Sequence, residues 1–288
     1  MANPAFSNNP AFTNNNNRAG DFGQQQYAQS PYAQAQTPTA EQLGNMYDAQ
    51  AATPRETGRM SIDGTIVKTA VTLGVVAIGF VATMAVYFMQ LAIPFYVMTY
   101  GGALVGFILA LVNIFKREPS RGLILAYAAA QGLFLGGLSA TLEFGTGYDG
   151  IIFQALLATA CVFAATLALY CFRIVRTSPK MNKIFLIVMI GYGLFSLVNV
   201  VLMLTGVATD PWGLRSATVF GMPLGVILGA LAVLLGAYSL VQDFEMTENG
   251  VKRGAPAKYE WSAAFGITMT IIWLYVEILR ILAILRQR

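Results

Sequence analysis

The sequence predicts an all-α, polytopic membrane protein with seven transmembrane helices, and three observations carry that reading. The chain is 56% hydrophobic and 11% charged, with mean hydropathy +0.58, whereas soluble domains are about 25% charged. Seven apolar runs, at 66–88, 93–115, 122–142, 151–172, 184–204, 217–242 and 261–285, are each long enough to cross a hydrocarbon layer of roughly 30 Å. Basic residues gather in alternate connections between those runs, the charge bias of a multi-pass protein. Continuous runs of this kind mean helices, because the strands of a barrel alternate every second residue.

Residues 1–58 are of a different composition. They are rich in Asn, Gln, Ala, Ser and Pro and repeat Asn-Pro-Ala-Phe at 3–6 and 9–12. Such a segment buries too little apolar surface to offset its chain entropy, so a disordered arm is expected, followed by one membrane domain over 59–288. The arm lacks the basic start and apolar centre of a signal peptide. A spacer is the simpler role for it, and a docking motif built on its Phe residues is the other.

Spans one and two are joined by a short turn between Met89 and Pro94, which predicts antiparallel neighbours. Span three carries Ala128, Gly132, Gly136 and Ala140 at every fourth position, a stripe that lets helix backbones approach closely. Span four holds both cysteines, Cys161 and Cys171; ten residues of helix put them about 15 Å apart, too far for a disulfide. They are expected to be buried small hydrophobes. Span six repeats the small-residue stripe with Gly221, Gly225, Gly229 and Ala237, and Pro223 lies one turn into it, where it would kink the helix. Span seven is apolar except for Glu277 and Arg280.

Arg55, Arg59 and Lys68 precede or open span one. Lys116, Arg117 and Arg121 follow span two; Arg173, Arg176, Lys180 and Lys183 follow span four; Lys252, Arg253 and Lys258 follow span six. The alternate connections hold Glu143, Asp149 and Asp210, with Arg215 as their single base. The positive-inside rule then predicts a cytoplasmic N-terminus and an external C-terminus, against the small local bias of Arg286 and Arg288. A bacterial cell membrane is the expected location. The net charge of +4 is this loop bias, so no nucleic-acid partner is expected.

The chain has no histidine. Ser-His and Cys-His nucleophilic mechanisms and histidine-bound zinc are therefore ruled out, as is the usual switch near neutral pH. Span seven has no lysine for a retinal Schiff base, and no resident cofactor is expected. An intramembrane aspartyl protease would need two aspartates facing each other at one depth, which Asp243 and Glu277 do not supply. No enzymatic role is expected, and proton chemistry on carboxylates remains.

The candidate carboxylates cluster around spans six and seven: Asp243, Glu245, Glu248, Glu260 and Glu277. Asp243 lies inside the membrane boundary if its helix continues to about Asn249, and is otherwise a solvated helix end. Glu245 and Glu248 are expected to be solvated, and Glu260 to be interfacial or a helix-start acid. Glu277 is about 24 Å of helix rise beyond Trp261. A charge at such depth costs roughly 2.5–3.5 kcal/mol even on lenient scales. Either it marks a functional site or it forms an intrahelical pair with Arg280, three residues on.

The seven apolar runs, "QDFE" closing span six and "YEWSAAFGITMTIIWLYVEILRILAIL" closing the chain resemble the Bax inhibitor family, also called transmembrane Bax inhibitor motif proteins. The closest likeness is to its bacterial branch with a long polar N-terminal arm. The resemblance implies a bundle with the last helix central and a calcium-permeable leak gated by pH through paired carboxylates on helices six and seven. Carried over, those acids are Asp243 and Glu277, which would also meet calcium transiently, with Arg280 or Arg121 as counter-charge. Their separation, 243 to 277, is longer than the family pattern, and the second acid is Glu rather than Asp. Lipid, calcium and protons are the expected partners. A non-channel regulator acting on a membrane protease or on stress signalling is the alternative.

Overall fold

A computed structural model describes residues 58–287 apart from 209, 211 and 220; the expected disorder of residues 1–58 falls almost wholly outside the described residues. Seven long helices make up the fold: α1 (Ile62–Phe88), α2 (Ala92–Phe115), α3 (Arg121–Ala140, continued by a π-helical turn, Thr141–Gly145), α4 (Ile151–Cys171), α5 (Pro179–Leu204), α6 (Leu224–Lys252) and α7 (Glu260–Arg286). All seven are long and apolar enough to cross a membrane. Local chemistry sets their starts. Ser61 caps α1 by accepting from Gly64 N at 2.9 Å, and Ser178 caps α5 ahead of Pro179, a residue suited to a first turn that needs no N–H partner.

Span six is where the expected boundaries move most. Residues 217–219 and 221–223 are not helical: Thr218–Val219 pairs antiparallel with Met222–Pro223 beside Gly221, whose φ is 78°, a turn conformation that glycine adopts without strain. Pro223 is the N-cap of α6, with φ −61° and ψ 133°. It introduces the helix instead of kinking it, and Gly221 drops out of the stripe. At its other end α6 runs ten residues past the expected stop, to Lys252.

The connections fall on two faces. Lys258 reaches Glu118 at 2.8 Å, joining the α6–α7 and α2–α3 connections, while Glu245 accepts from Thr177 N, before α5, at 3.2 Å. This is the basic face, because it holds most of the Lys and Arg side chains. On the opposite face Arg286 donates to Asp149 O at 2.8 Å.

The stripe on α3 is a contact surface, as its spacing predicts. Gly132 and Gly136 lie against the backbone of Val76 and Phe80 on α1; a Cβ on Gly79 would stand 2.8 Å from Ala129 O, and one on Gly102 of α2 would stand 2.7 Å from Ala130 O. α3 thus packs closely on both α1 and α2, which are less neighbours of each other than of α3.

The last helix is central. Of its most apolar stretch 61% is buried, against 17% for α5. Ala263, Ala264, Leu274, Leu279 and Ala283 are fully buried. Tyr275 shares a 2.7 Å hydrogen bond with Ser139 of α3, and Tyr127 meets Phe265 edge to face at 5.0 Å. The outward sides of α1, α2, α4 and α5 expose Ile78, Ile93, Phe153 and Leu197, a surface suited to lipid. Cys161 and Cys171 face outward as well instead of filling the interior, because α4 turns that side away from α6 and α7.

Candidate functional site

Three polar assemblies lie along α6 and α7, at successive levels from the basic face inward. At the first level is Glu260, in the first turn of α7. It is 5% exposed and accepts from Ser61 N at 2.8 Å, Ser61 Oγ at 3.1 Å and Lys68 Nζ at 2.5 Å. It stands at the helix start, with its side chain buried in an ion pair between α1 and α7. On α6, Glu245 and Glu248 are half-buried instead of fully solvated. Glu245 accepts from Thr177 N and Oγ1; Glu248 accepts from the Tyr170 hydroxyl and from Lys252.

Almost three helical turns further along α7, at the level of Thr270, lies Asp243. Because α6 extends to Lys252, this residue lies within the helix and is 0% exposed, so the solvated-helix-end alternative does not apply. Its Oδ2 accepts from Thr270 Oγ1 of α7 at 2.7 Å. The same threonine hydroxyl lies 3.1 Å from Gly266 O and 3.4 Å from Ser239 Oγ. A hydroxyl has one hydrogen to donate, so Thr270 divides it between a carboxyl and a carbonyl. Beside this contact, Gln242 donates to Asn182 Oδ1 at 3.0 Å and Tyr238 donates to the same atom at 2.6 Å.

The third assembly is two helical turns further along α7. Glu277 is 2% exposed. Its Oε1 accepts from Arg280 Nη1 and from the Tyr192 hydroxyl, each at 2.6 Å, and its Oε2 lies 3.8 Å from Arg215 Nη1. Arg215 is 4% exposed and donates through Nη2 to Tyr192 at 3.1 Å and to Ser196 at 2.9 Å. Two guanidinium groups thus surround one carboxylate, and the pair within α7 is only part of the assembly.

The two acids carried over from the family pattern therefore sit at different levels. The residue that α7 offers to Asp243 is Thr270, 27 positions on, whereas Glu277 lies seven residues, about 10 Å of helix rise, beyond Thr270. The long separation noted in the sequence has this cause. Arg280 forms an ion pair with Glu277. Arg121 is not in the assembly: it opens α3, exposed, on the basic face, and Arg215 from the α5–α6 connection takes that place. Arg215 carried one signal in the sequence, as the lone base in the acidic set of connections. Thr270, Tyr192, Asn182 and Gln242 carried none, since hydroxyls and amides are common in membrane helices. Among the described residues no group of three or more Cys, Asp or Glu side chains is arranged to hold a metal ion.

Between the second and third assemblies the helices close on each other through apolar contact. A Cβ on Gly236 of α6 would lie 2.5 Å from Leu274 Cδ2 of α7. A family model described as Bax inhibitor 1 like matches residues 3–287 of the chain. Neither the curated proteins nor the solved structures yield a match.

Proposed function

The chain belongs to the Bax inhibitor 1 like family, and from that premise we propose that it forms a leak pathway for cations, calcium foremost, whose opening is set by the protonation of Asp243. The observation that carries this reading is the Asp243 carboxyl, fully buried and bonded across the α6–α7 interface to Thr270. When Asp243 is protonated, its own O–H donates to Thr270 Oγ1 and the threonine hydrogen is left for Gly266 O. When Asp243 is ionised, the one Thr270 hydrogen serves two acceptors and a charge is held away from water. Holding an ion away from water costs several kcal/mol, enough to bias two packings of a bundle. Parting α6 from α7 admits water or a hard, oxygen-seeking cation such as calcium and relieves that cost. Opening therefore increases as pH rises.

The Thr270 hydroxyl bonds Asp243, and Ser239 meets that hydroxyl in turn; Glu245 is further out on α6, and Glu277, further along α7, has Arg280 and Arg215 beside it. Glu277 serves in this reading as a fixed charge at the far end of the pathway. The apolar contact of Leu274 on Gly236 is the step that has to loosen. Proteoliposomes carrying the full chain, assayed for calcium flux between about pH 5 and pH 8, test the proposal. Wild type should leak more at the alkaline end, and Asp243→Asn should stay low and flat. An unchanged pH profile in Asp243→Asn would sink the gating idea.

We assign the basic face to the cytoplasm and the membrane to the cell membrane, on the strength of Lys116, Arg117, Arg121, Arg173, Arg176, Lys252 and Arg253. Single cysteines at 118 and 147, in a chain whose native cysteines are replaced by Ala, should differ in labelling by an impermeant thiol reagent added to intact cells. Labelling of the cysteine at 118 would reverse the orientation.

One observation favours the second reading, a regulator of another membrane protein such as a protease. Residues 58–61 are laced to the α6–α7 connection: Met60 N donates to Ala255 O at 2.6 Å and Ala257 N to Gly58 O at 2.8 Å. Whatever engages the arm would thus pull on the helices that carry Asp243 and Thr270. If the protein lacking residues 1–57 keeps its flux but loses a membrane partner captured by the full chain, both readings hold at once; loss of the partner from a chain that conducts at no pH would leave the regulator alone.

A further inference from the structure

A cleft of about 100 Å³ opens on the basic face, lined by Thr177, Asn182, Gln242, Glu245, Met246 and Asn249. Five of those six side chains carry an oxygen and none is a base, on the face that holds most of the chain's Lys and Arg. Gln242 is 2% exposed and its amide nitrogen is committed to Asn182 Oδ1. Asn182 Oδ1 also receives the Tyr238 hydroxyl, so this atom is an acceptor and Gln242 presents its nitrogen to it. The other end of the amide, Gln242 Oε1, is buried without a hydrogen-bond partner among the described residues. A buried acceptor left unmet is unfavourable, because it has given up water and gained no donor in return. Beside it, both Thr177 contacts fall on Glu245 Oε2, which leaves Glu245 Oε1 for a ligand.

We propose that this cleft binds a hard divalent cation of the calcium class, with Gln242 Oε1 and a Glu245 carboxylate oxygen as its protein ligands and water completing the shell. Calcium takes six to eight oxygens, amide carbonyls and carboxylates among them. A site with one carboxylate holds such an ion weakly, and a conducted ion has to leave again. Gln242 precedes Asp243 on α6, so the bound ion stands immediately outside the buried acid. The role as the mouth of a pathway rests on the cation-leak reading; the binding itself does not.

The test uses the full chain in detergent micelles near neutral pH, with terbium luminescence sensitised through Tyr238 and displaced by calcium. Glu245→Gln should weaken the calcium competition about ten-fold or more, and Gln242→Glu, which adds a second carboxylate, should tighten it by about the same factor. A misfolded variant does not gain affinity, so the second substitution keeps the proposal open to refutation if the first unfolds the protein. Competition unchanged in both variants, meaning an adventitious ion only, would overturn the site. So would Glu248→Gln, one turn outward on α6, reproducing the loss seen in Glu245→Gln, since that is a general surface-charge effect. Failure of the leak reading appears separately: a chain that binds calcium here but conducts at no pH refutes the pathway and not the site.

Discussion

At the scale of single residues, the chain treats its two buried acids differently. Asp243 is offered a hydroxyl that has a competing acceptor, and Glu277 is offered two guanidinium groups and a phenol. Opposite consequences follow for substitution. Thr270→Val keeps the shape and removes the hydrogen bond to Asp243, which should cost about 1–3 kcal/mol; the unfolding midpoint in micelles should fall and the leak at acid pH should rise. Glu277→Gln leaves Arg215 buried beside a neutral group, which should cost about 3–5 kcal/mol with little change in the pH profile of flux. Adding Arg215→Gln to that variant should recover part of the loss, because the two sites share one interaction. Independent, additive losses would show that the 3.8 Å approach of Arg215 to Glu277 contributes nothing.

At the scale of elements, the pair α6–α7 is an interlocked contact of glycine against bulky aliphatic side chains. Gly225 faces Ile284, Gly229 faces Ile281 and Gly236 faces Leu274. The direction of substitution matters here. Gly236→Ala forces a methyl against Leu274 and should destabilise by about 1–3 kcal/mol. Leu274→Ala empties a fully buried position at a cost of about 2–5 kcal/mol and removes the apolar step between the two polar levels. Calcium flux in that variant should be raised across the whole pH range, in contrast to the flat, low flux of Asp243→Asn. A Leu274→Ala chain that folds and stays closed would show the step lies elsewhere.

At the scale of the whole molecule, the N-terminal strap joins the membrane bundle to the arm. Met60 is 1% exposed, and Ser61 and Lys68 both bond Glu260. Removing residues 1–57 should leave the unfolding midpoint unchanged, whereas removing residues 1–61 should lower it measurably. Equal midpoints for the two truncations would mean that the strap adds no stability. The surface pair of Glu118 and Lys258 is a different matter. Hydrogen bonding to Lys258, and its charge, hold the Glu118 carboxyl below its ordinary value. A lowered carboxyl adds its small share of stability above the ordinary glutamate range and loses it only as pH falls through the lowered value. This contact is spent in acid, below the window of about pH 5 to pH 8 in which the gate is tested.

The seven helices, the small-residue stripe on α3 and the pair of Glu277 with Arg280 were all legible in the sequence. Each depends on composition or on spacing along one helix, and a lipid solvent makes both decisive, since an apolar run of sufficient length has no other stable conformation there. The extent of α6 was less legible. Residues 217–223 are apolar, but Gly221 and Pro223 set a turn and a cap, and hydropathy does not distinguish an apolar hairpin from an apolar helix. That Asp243 and Glu277 differ in depth could be read from their spacing, but which side chains meet each of them could not. That Asp243 meets Thr270 instead of Glu277, that Arg215 and not Arg121 reaches Glu277, and that Gln242 is left with an unmet carbonyl beside Glu245 are facts about which levels of neighbouring helices coincide. Spacing within one helix determines which side chains share a face; only the packing of several helices decides which faces meet, and at what height.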